Sequence, residues 1–383
     1  NQFNFIPPLV MNDFFQEPQD KIRGEVLRDE YTLGMYSTDA SIYQIKPKAV
    51  VFPKDEEDVK AAVSIGNKNG ITILPRGAGT SLAGQTVGSS IILDFSKYMN
   101  QILEVNVEEK WVRVQPGMAR DDLNALMAKH RLHFAPDPAT SSRANVGGMV
   151  GNNSSGTKSI IYGKTVDHIL EVKALLADGT VMQLSEKSQS EIDKIIANGD
   201  REGEIYDEFK KIINVNKEEI KKRYPKVMRR VGGYNLDEFV DIDNWNLSKI
   251  VCGSEGTLAT SLELKLNLEP LPNFKSVCVV HYAKLLEAIQ GVETMLQFKP
   301  SAVEILDHVV ISLSRENLMT KRHSHFIEGE PEAILIVEFY GDTQEDVMQR
   351  AEAMIADQKA QNFGYAYPLY PEGTDYDDVW VIR

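Results

Sequence analysis

The sequence is poor in cysteine, tryptophan and histidine, and it has no excess of basic charge. Its 383 residues include 2 cysteines, 3 tryptophans and 7 histidines. Two thiols are too few for an iron–sulfur cluster or a cysteine zinc site within the chain. Cys252 and Cys278 stand in the apolar contexts "IVCGSEG" and "SVCVVHY", where buried free thiols are expected. Forty-two basic against 56 acidic residues leave a net charge of −14, which argues against nucleic acid or an anionic membrane surface as the main partner. No apolar run is long enough to cross a bilayer and no signal peptide is visible. A cytoplasmic protein, at most peripheral to the inner membrane, is expected. The chain opens on Asn1 rather than Met and closes on "DVWVIR", directly after an apolar stretch, so a fragment of a longer protein is expected too.

What is present is an ordinary globular composition, 42% apolar and 26% charged, long enough for two domains. Residues 1–45 read as an N-terminal extension with a short helix and a loop. "AVVFP" reads as a strand. Asp55 caps a helix whose apolar face holds Val59, Ala62, Val63 and Ile65 and which Gly70 ends. "ITILP" and "SIILDF" are strands on either side of a glycine loop. "ILEVNVEEKWVRVQPG" alternates as an antiparallel hairpin, "RDDLNALMAKH" is a helix, and "ILEVKALLADGTVMQL" is a strand pair. Residues 186–245 are charged and helical and read as an insertion. After "PLPNFK" the order strand–helix occurs twice, which suggests a ferredoxin-like α+β unit over 271–383.

The glycine loop "PRGAGTSLAGQTVG" (75–88) is the first motif. Glycines between hydroxyl and amide side chains let backbone N–H groups approach a phosphate. It is not a dinucleotide fingerprint of the βαβ type. Gly77 and Gly79 fit G-x-G-x-x-G, but Leu82 holds the third position and a strand follows where a helix should start. Taken alone, a tight turn between strands explains the loop equally well. The second motif, "APDPATSSRANVGGMVGNNSSGTKSIIYG" (135–163), is dense in Gly, Ser and Asn. Its Val146, Met149 and Val150 make a solvated linker a poor description. The third, "CGSEGTLAT" (252–260), reads in isolation as a turn before a strand.

The order and spacing of these three segments resemble the FAD-binding domain of the vanillyl-alcohol oxidase and p-cresol methylhydroxylase (PCMH-type) superfamily. The nearest branch in resemblance is the FAD-linked D-2-hydroxyacid dehydrogenases, which act on D-lactate, glycolate or D-2-hydroxyglutarate. The resemblance implies an α+β fold: a two-subdomain FAD-binding domain over 46–270, followed by a partial substrate (cap) domain over 271–383. It implies that Pro75, Arg76, Gly77, Ala78, Gly79, Thr80 and Ser81 wrap the diphosphate of FAD. Pro138, Ser141, Ser142, Gly147, Gly148, Asn152, Ser154 and Gly156 would line the ribityl and flavin portions. Val172 would meet adenine through its backbone, and Glu255 and Gly256 would close the site. No histidine falls inside the motifs, so FAD is expected to be bound non-covalently.

For the substrate, the resemblance points to Arg230 and Tyr234 in "RRVGGYNLDEF", and to Arg383 in "VWVIR" as a bidentate carboxylate clamp. The pair "HSH" (323–325) has the spacing of two ligands on a strand face, but it reads better as a surface pair, and no metal site is assigned within the chain. The catalytic base, the metal ligands and any iron–sulfur cluster are expected in parts not included here. The implied reaction is oxidation of a small 2-hydroxyacid to a 2-oxoacid, with electrons leaving to an iron–sulfur domain, a quinone or a flavoprotein carrier. Two alternatives stay open: an NAD(P)H-dependent reductase on the same flavin fold, and a non-enzymatic nucleotide- or sugar-binding module.

Overall fold

The computed structural model describes residues 21–382. Residues 1–20 of the expected extension and the clamp candidate Arg383 lie outside the described residues.

The first unit runs β1 (Glu25–Leu27), α1 (Glu30–Met35), β2 (Ala49–Phe52), α2 (Glu56–Asn69), β3 (Ile73–Arg76) and β4 (Ile91–Asp94). Its sheet has the order β1-β2-β4-β3, with β4 parallel to both β2 and β3 and β1 antiparallel at the edge. Asp55 caps α2 by accepting from the amides of Glu57 and Asp58, and Gly70 ends it in the left-handed conformation. Val59, Ala62, Val63 and Ile65 are buried against Val51, Ile91 and Leu93, as the periodicity requires. Between β3 and β4 the chain forms no helix.

The second unit begins with β5 (Ile102–Asn106), β6 (Trp111–Val114), α3 (Arg120–Met127), β7 (Leu132–His133), α4 (Val146–Asn152), α5 (Ser159–Tyr162) and α6 (Thr165–His168). It continues with β8 (Ile169–Leu175), β9 (Val181–Leu184), β10 (Glu186–Ser188), α7 (Gln189–Asn198), α8 (Arg201–Arg223), β11 (Asn244–Asn246), α9 (Ser248–Val251), β12 (Thr260–Asn267) and β13 (Glu269–Pro270). Its antiparallel sheet has the order β5-β6-β12-β8-β9. The charged segment after β9 is held by the β10–β11 pair. Its Tyr206, Ile213, Ile220, Phe239 and Trp245 belong to the same core as the sheet, so α8 is anchored along an apolar stripe rather than projecting.

The third unit is β14 (Phe274–Tyr282), α10 (Leu285–Met295), β15 (Ala302–Asp307), α11 (His308–Glu316), β16 (Ala333–Gly341), α12 (Gln344–Ala360), β17 (Leu369–Pro371) and α13 (Tyr376–Val381). The sheet order β15-β16-β14-β17, antiparallel throughout, is the ferredoxin-like arrangement. One face packs on α10 and α12 through Cys278, Val280, Leu335 and Val337. The other face packs through Val277, Ile334 and Ile336 on Ile311, Phe326, Tyr376 and Val379. Both cysteines are free and buried, and burial pushes both thiols far above their usual range.

The second and third units meet at a buried charge cluster. Lys158 Nζ lies 3.4 Å from Asp137 Oδ2 and 3.5 Å from Glu338 Oε2 of β16. Trp380 of α13 covers the ammonium at 4.9 Å, and the Tyr376 hydroxyl donates to Glu338 Oε1. The Glu338 side chain is fully buried, so these partners offset the cost of burying a carboxylate.

Candidate functional site: a glycine-lined cleft

β3 delivers the glycine loop to the edge of the first sheet, and α4 of the second unit faces it. Two adjoining cavities of about 90 and 410 Å³ run between them, sharing Gly77, Ser81, Gln85, Thr86 and Gly148. The amides of Ala78 through Leu82 find no protein acceptor among the described residues, and all five residues line the larger cavity. An anion is the chemical complement of such a row. The loop is held in shape from behind. Arg76, only 9% exposed, donates through Nη1 to the carbonyls of Tyr36 and Thr86 and through Nη2 to that of Thr38, and it stacks over Tyr36 at 5.0 Å. Its side chain is therefore committed to the backbone, and only its main chain and stem are left for a ligand. Residues 36–38, placed by the sequence in the extension, supply that clamp.

The second motif contains a helix that its composition conceals. Val146, Met149 and Val150 are buried at helical spacing, which turns Gly148 and Gly151 outward to the cleft. A Cβ added at either glycine would meet no protein atom within 4 Å. Gly147 differs: its amide bonds to the Pro116 carbonyl, and a Cβ there would lie 2.5 Å from Pro116 Cβ. Bare backbone at 148 and 151 leaves a smooth wall along which an extended ligand can lie. Asn145, at the start of α4, donates to the Gly117 carbonyl at 2.6 Å, while its buried Oδ1 has no partner and lines the larger cavity.

The third motif closes one end. Glu255 and Gly256 both have positive φ, at 51° and 75°, which turns the chain back toward Pro75. Glu255 accepts from Asn152 Nδ2 at 2.9 Å, and the Ser154 hydroxyl donates to Asn152 Oδ1 at 3.0 Å. The second and third motifs thus share one polar chain along the wall.

Residues 75–81, Pro138, Gly147, Gly148, Asn152, Ser154, Glu255 and Gly256 all line this cleft. Other expected residues sit elsewhere. The Ser141 hydroxyl bonds to Asp121 on α3, and Ser142 is exposed outside the cavities. Gly156 packs against the Asp137 carbonyl, with 2.0 Å left for a Cβ. Val172 is fully buried in β8, which is paired on both edges. The Arg230 guanidinium forms a two-pronged pair with Asp237, reaches Asn235 Oδ1 at 3.2 Å and covers Tyr224. Its partners here all lie within its own loop and the adjoining Tyr224. Tyr234, partly exposed, bonds through its hydroxyl to Thr257 at 2.8 Å. Gln85, Thr86, Pro116, Asn145, Ser254 and Val231 also line the cleft without having been singled out. Gln85 and Thr86 stand in the glycine motif, Asn145 in the second, Ser254 in the third and Val231 in "RRVGGYNLDEF", and Pro116 alone lies outside these segments.

Comparison with known proteins agrees with this architecture. Residues 47–185 match the FAD binding domain family, and residues 271–383 match the C-terminal domain of FAD linked oxidases. The chain thus carries an FAD binding domain and the C-terminal domain of FAD linked oxidases. It is 36% identical to a D-2-hydroxyglutarate dehydrogenase of Pseudomonas putida, over 87% of the chain and 34% of the relative. It is 33% identical to the enzyme of that name from Escherichia coli, over 91% of the chain and 35% of the relative. Similarity to the glycolate oxidase subunit GlcD of Bacillus subtilis is 27% over 84% of the chain and 58% of that subunit. The chain thus spans about a third of the length of the two dehydrogenases. An alkyldihydroxyacetonephosphate synthase structure shares the fold, with a TM-score of 0.67 at 17% identity over 99% of this chain and 65% of that one. FAD is the cofactor of the matched domains. The row of unpaired amides and the bare α4 wall fit its diphosphate and extended shape.

Proposed function

We propose that this chain is the flavin-binding part of an enzyme that oxidises a D-2-hydroxyacid, of the D-2-hydroxyglutarate, D-lactate or glycolate type, to the 2-oxoacid. The observation that carries the reading is the convergence of three sequence-distant motifs on one cleft with unpaired amides. The names of the relatives supply the substrate class. When bound, FAD supplies the hydride acceptor, and the protein contributes binding and orientation.

The amides of Ala78–Leu82 would hold the diphosphate, with the Thr80 and Ser81 side chains in the same lining. Asn152, Ser154 and Glu255 form a fixed polar wall. No histidine lines these cavities among the described residues, which supports non-covalent attachment. For the substrate carboxylate the resemblance supplies Arg383 and Arg230, of which Arg230 is paired with Asp237 and Asn235. Tyr234 bonds to Thr257, the residue after the cleft-lining Gly256. The hydroxyl proton passes to a base outside this chain. Electrons leave to an iron–sulfur domain, a quinone or a flavoprotein carrier, and the protein works in the cytoplasm or at the inner membrane surface.

The test is anaerobic bleaching of the FAD-loaded chain near 450 nm, with D-2-hydroxyglutarate, D-lactate and glycolate compared against NADPH, alone and with the remainder of the protein supplied. Bleaching by a D-hydroxyacid supports the reading. Bleaching by NADPH alone would move the protein to the flavin reductases, and a chain that takes up no FAD would make it a binding module of another kind.

A further inference from the structure

The pair "HSH" is not on a strand. His323 ends a 3₁₀ turn (Lys321–His323) after α11, and His325 follows it beside the first turn of α13. Some fifty residues of chain separate these segments, yet four side chains converge. His325 Nε2 lies 3.3 Å from Asp375 Oδ2, and its Nδ1 lies 3.8 Å from Asp378 Oδ2. His323 Nδ1 is 2.7 Å from the other Asp378 oxygen. Asp375 occupies the N-cap position of α13 but makes no side-chain capping bond, so its carboxylate is turned to His325 instead of to the helix amides. One ligand atom from each of His325, Asp375 and Asp378 falls within 4.8 Å of the others.

We propose that these three residues form a divalent metal site of the zinc class in the cap domain. One imidazole nitrogen and two carboxylate oxygens, with water in the fourth place, make a donor set that zinc accepts at roughly 2.0–2.2 Å. One nitrogen donor and few oxygens suit calcium and magnesium poorly. Closing on an ion needs the ligand atoms to draw in by about an ångström, since tetrahedral ligands at those bond lengths sit roughly 3.4 Å apart. The His325 side chain is 46% exposed, which gives it freedom to move and gives the ion an entrance. His323 orients Asp378 from behind, as outer-shell partners of metal-bound carboxylates do. The ion joins the turn after α11 to α13, the helix whose Trp380 covers Lys158. It stands apart from the cleft and does not depend on the proposed activity.

The experiment is zinc titration of the untagged, chelator-stripped chain against a chromophoric competitor, with melting followed in parallel. One ion per chain held at micromolar free zinc, with a raised Tm, is expected. His325→Ala should abolish that binding, and His323→Ala should weaken it about 10–100-fold. FAD uptake should be unchanged in both variants. No saturable binding below about 0.1 mM zinc, or binding that His325→Ala leaves intact, would overturn the proposal and leave two metal-free His–Asp pairs.

Discussion

Gly148 separates a cofactor cradle from a merely structural glycine. It lies inside α4, its φ is not in the left-handed region, and a Cβ there meets nothing within 4 Å. Gly148→Ala therefore adds a methyl group to open space and removes backbone freedom from the unfolded chain. The apoprotein should gain up to about 1 kcal/mol, the usual difference between Ala and Gly in a helix. The same methyl adds to the wall of the cavity proposed to hold FAD. FAD affinity should fall at least about tenfold for Ala, equivalent to ~1.4 kcal/mol, and further for Gly148→Leu. Urea denaturation of the apoprotein reads the first quantity, and quenching of flavin fluorescence on titration reads the second. Opposite signs are the signature. Gly148→Ala that binds FAD like the parent chain, or that weakens the apoprotein, would refute the placement of the cofactor along α4. Gly156→Ala is the contrast. Its Cβ would strike the Asp137 carbonyl at 2.0 Å, so it should cost about 1–3 kcal/mol whether or not FAD is present.

Lys158→Met strands the fully buried Glu338 carboxylate and should cost about 3–5 kcal/mol in urea denaturation, whereas adding Glu338→Gln should recover a good part of that loss; simple additivity would show that the two groups are not coupled. Burial lowers the His133 pKa to about 4 from its ordinary 6.5. The unfolded chain therefore binds the extra proton first as pH falls from 6.5 to 4, and stability drops over that window. The loss reaches about 3 kcal/mol, and His133→Gln should remove that share of the pH slope; an unchanged slope would contradict the burial argument. Arg76→Lys should destabilise the apoprotein by roughly 2 kcal/mol, because one ammonium cannot reach the three carbonyls that the guanidinium serves. An apoprotein of parental stability would mean that this clamp is not what shapes the loop.

Much of the fold is legible from local signals. Asp55 and Gly70 bracket α2, the alternation around "EEK" gives the β5–β6 hairpin, and two strand–helix repeats give the cap sheet. The apolar run "SIILDF", just after the loop, marks a strand where a dinucleotide fold would begin a helix, and β4 is found there without an intervening helix. What was not legible depends on contacts between distant segments. The helix α4 is hidden because glycine and asparagine have low helix propensity, and only the core under Val146, Met149 and Val150 stabilises it. Arg76 and Arg230 look like ligand-binding arginines in a linear motif. Their side chains bond the carbonyls of Tyr36, Thr38 and Thr86 and the nearby Asp237, and no spacing rule reveals either set. The Lys158–Glu338 cluster joins residues 180 apart in the chain and is invisible until the cap is docked.

The central claim is that unpaired loop amides, rather than an arginine side chain, hold the cofactor's charge. A crystal structure of the chain soaked with FAD tests it most directly. The account predicts diphosphate oxygens within about 2.7–3.2 Å of the amides in the Ala78–Leu82 segment, with Arg76 still bonded to Tyr36, Thr38 and Thr86. Diphosphate held by a displaced Arg76, or lodged away from this loop, would contradict it.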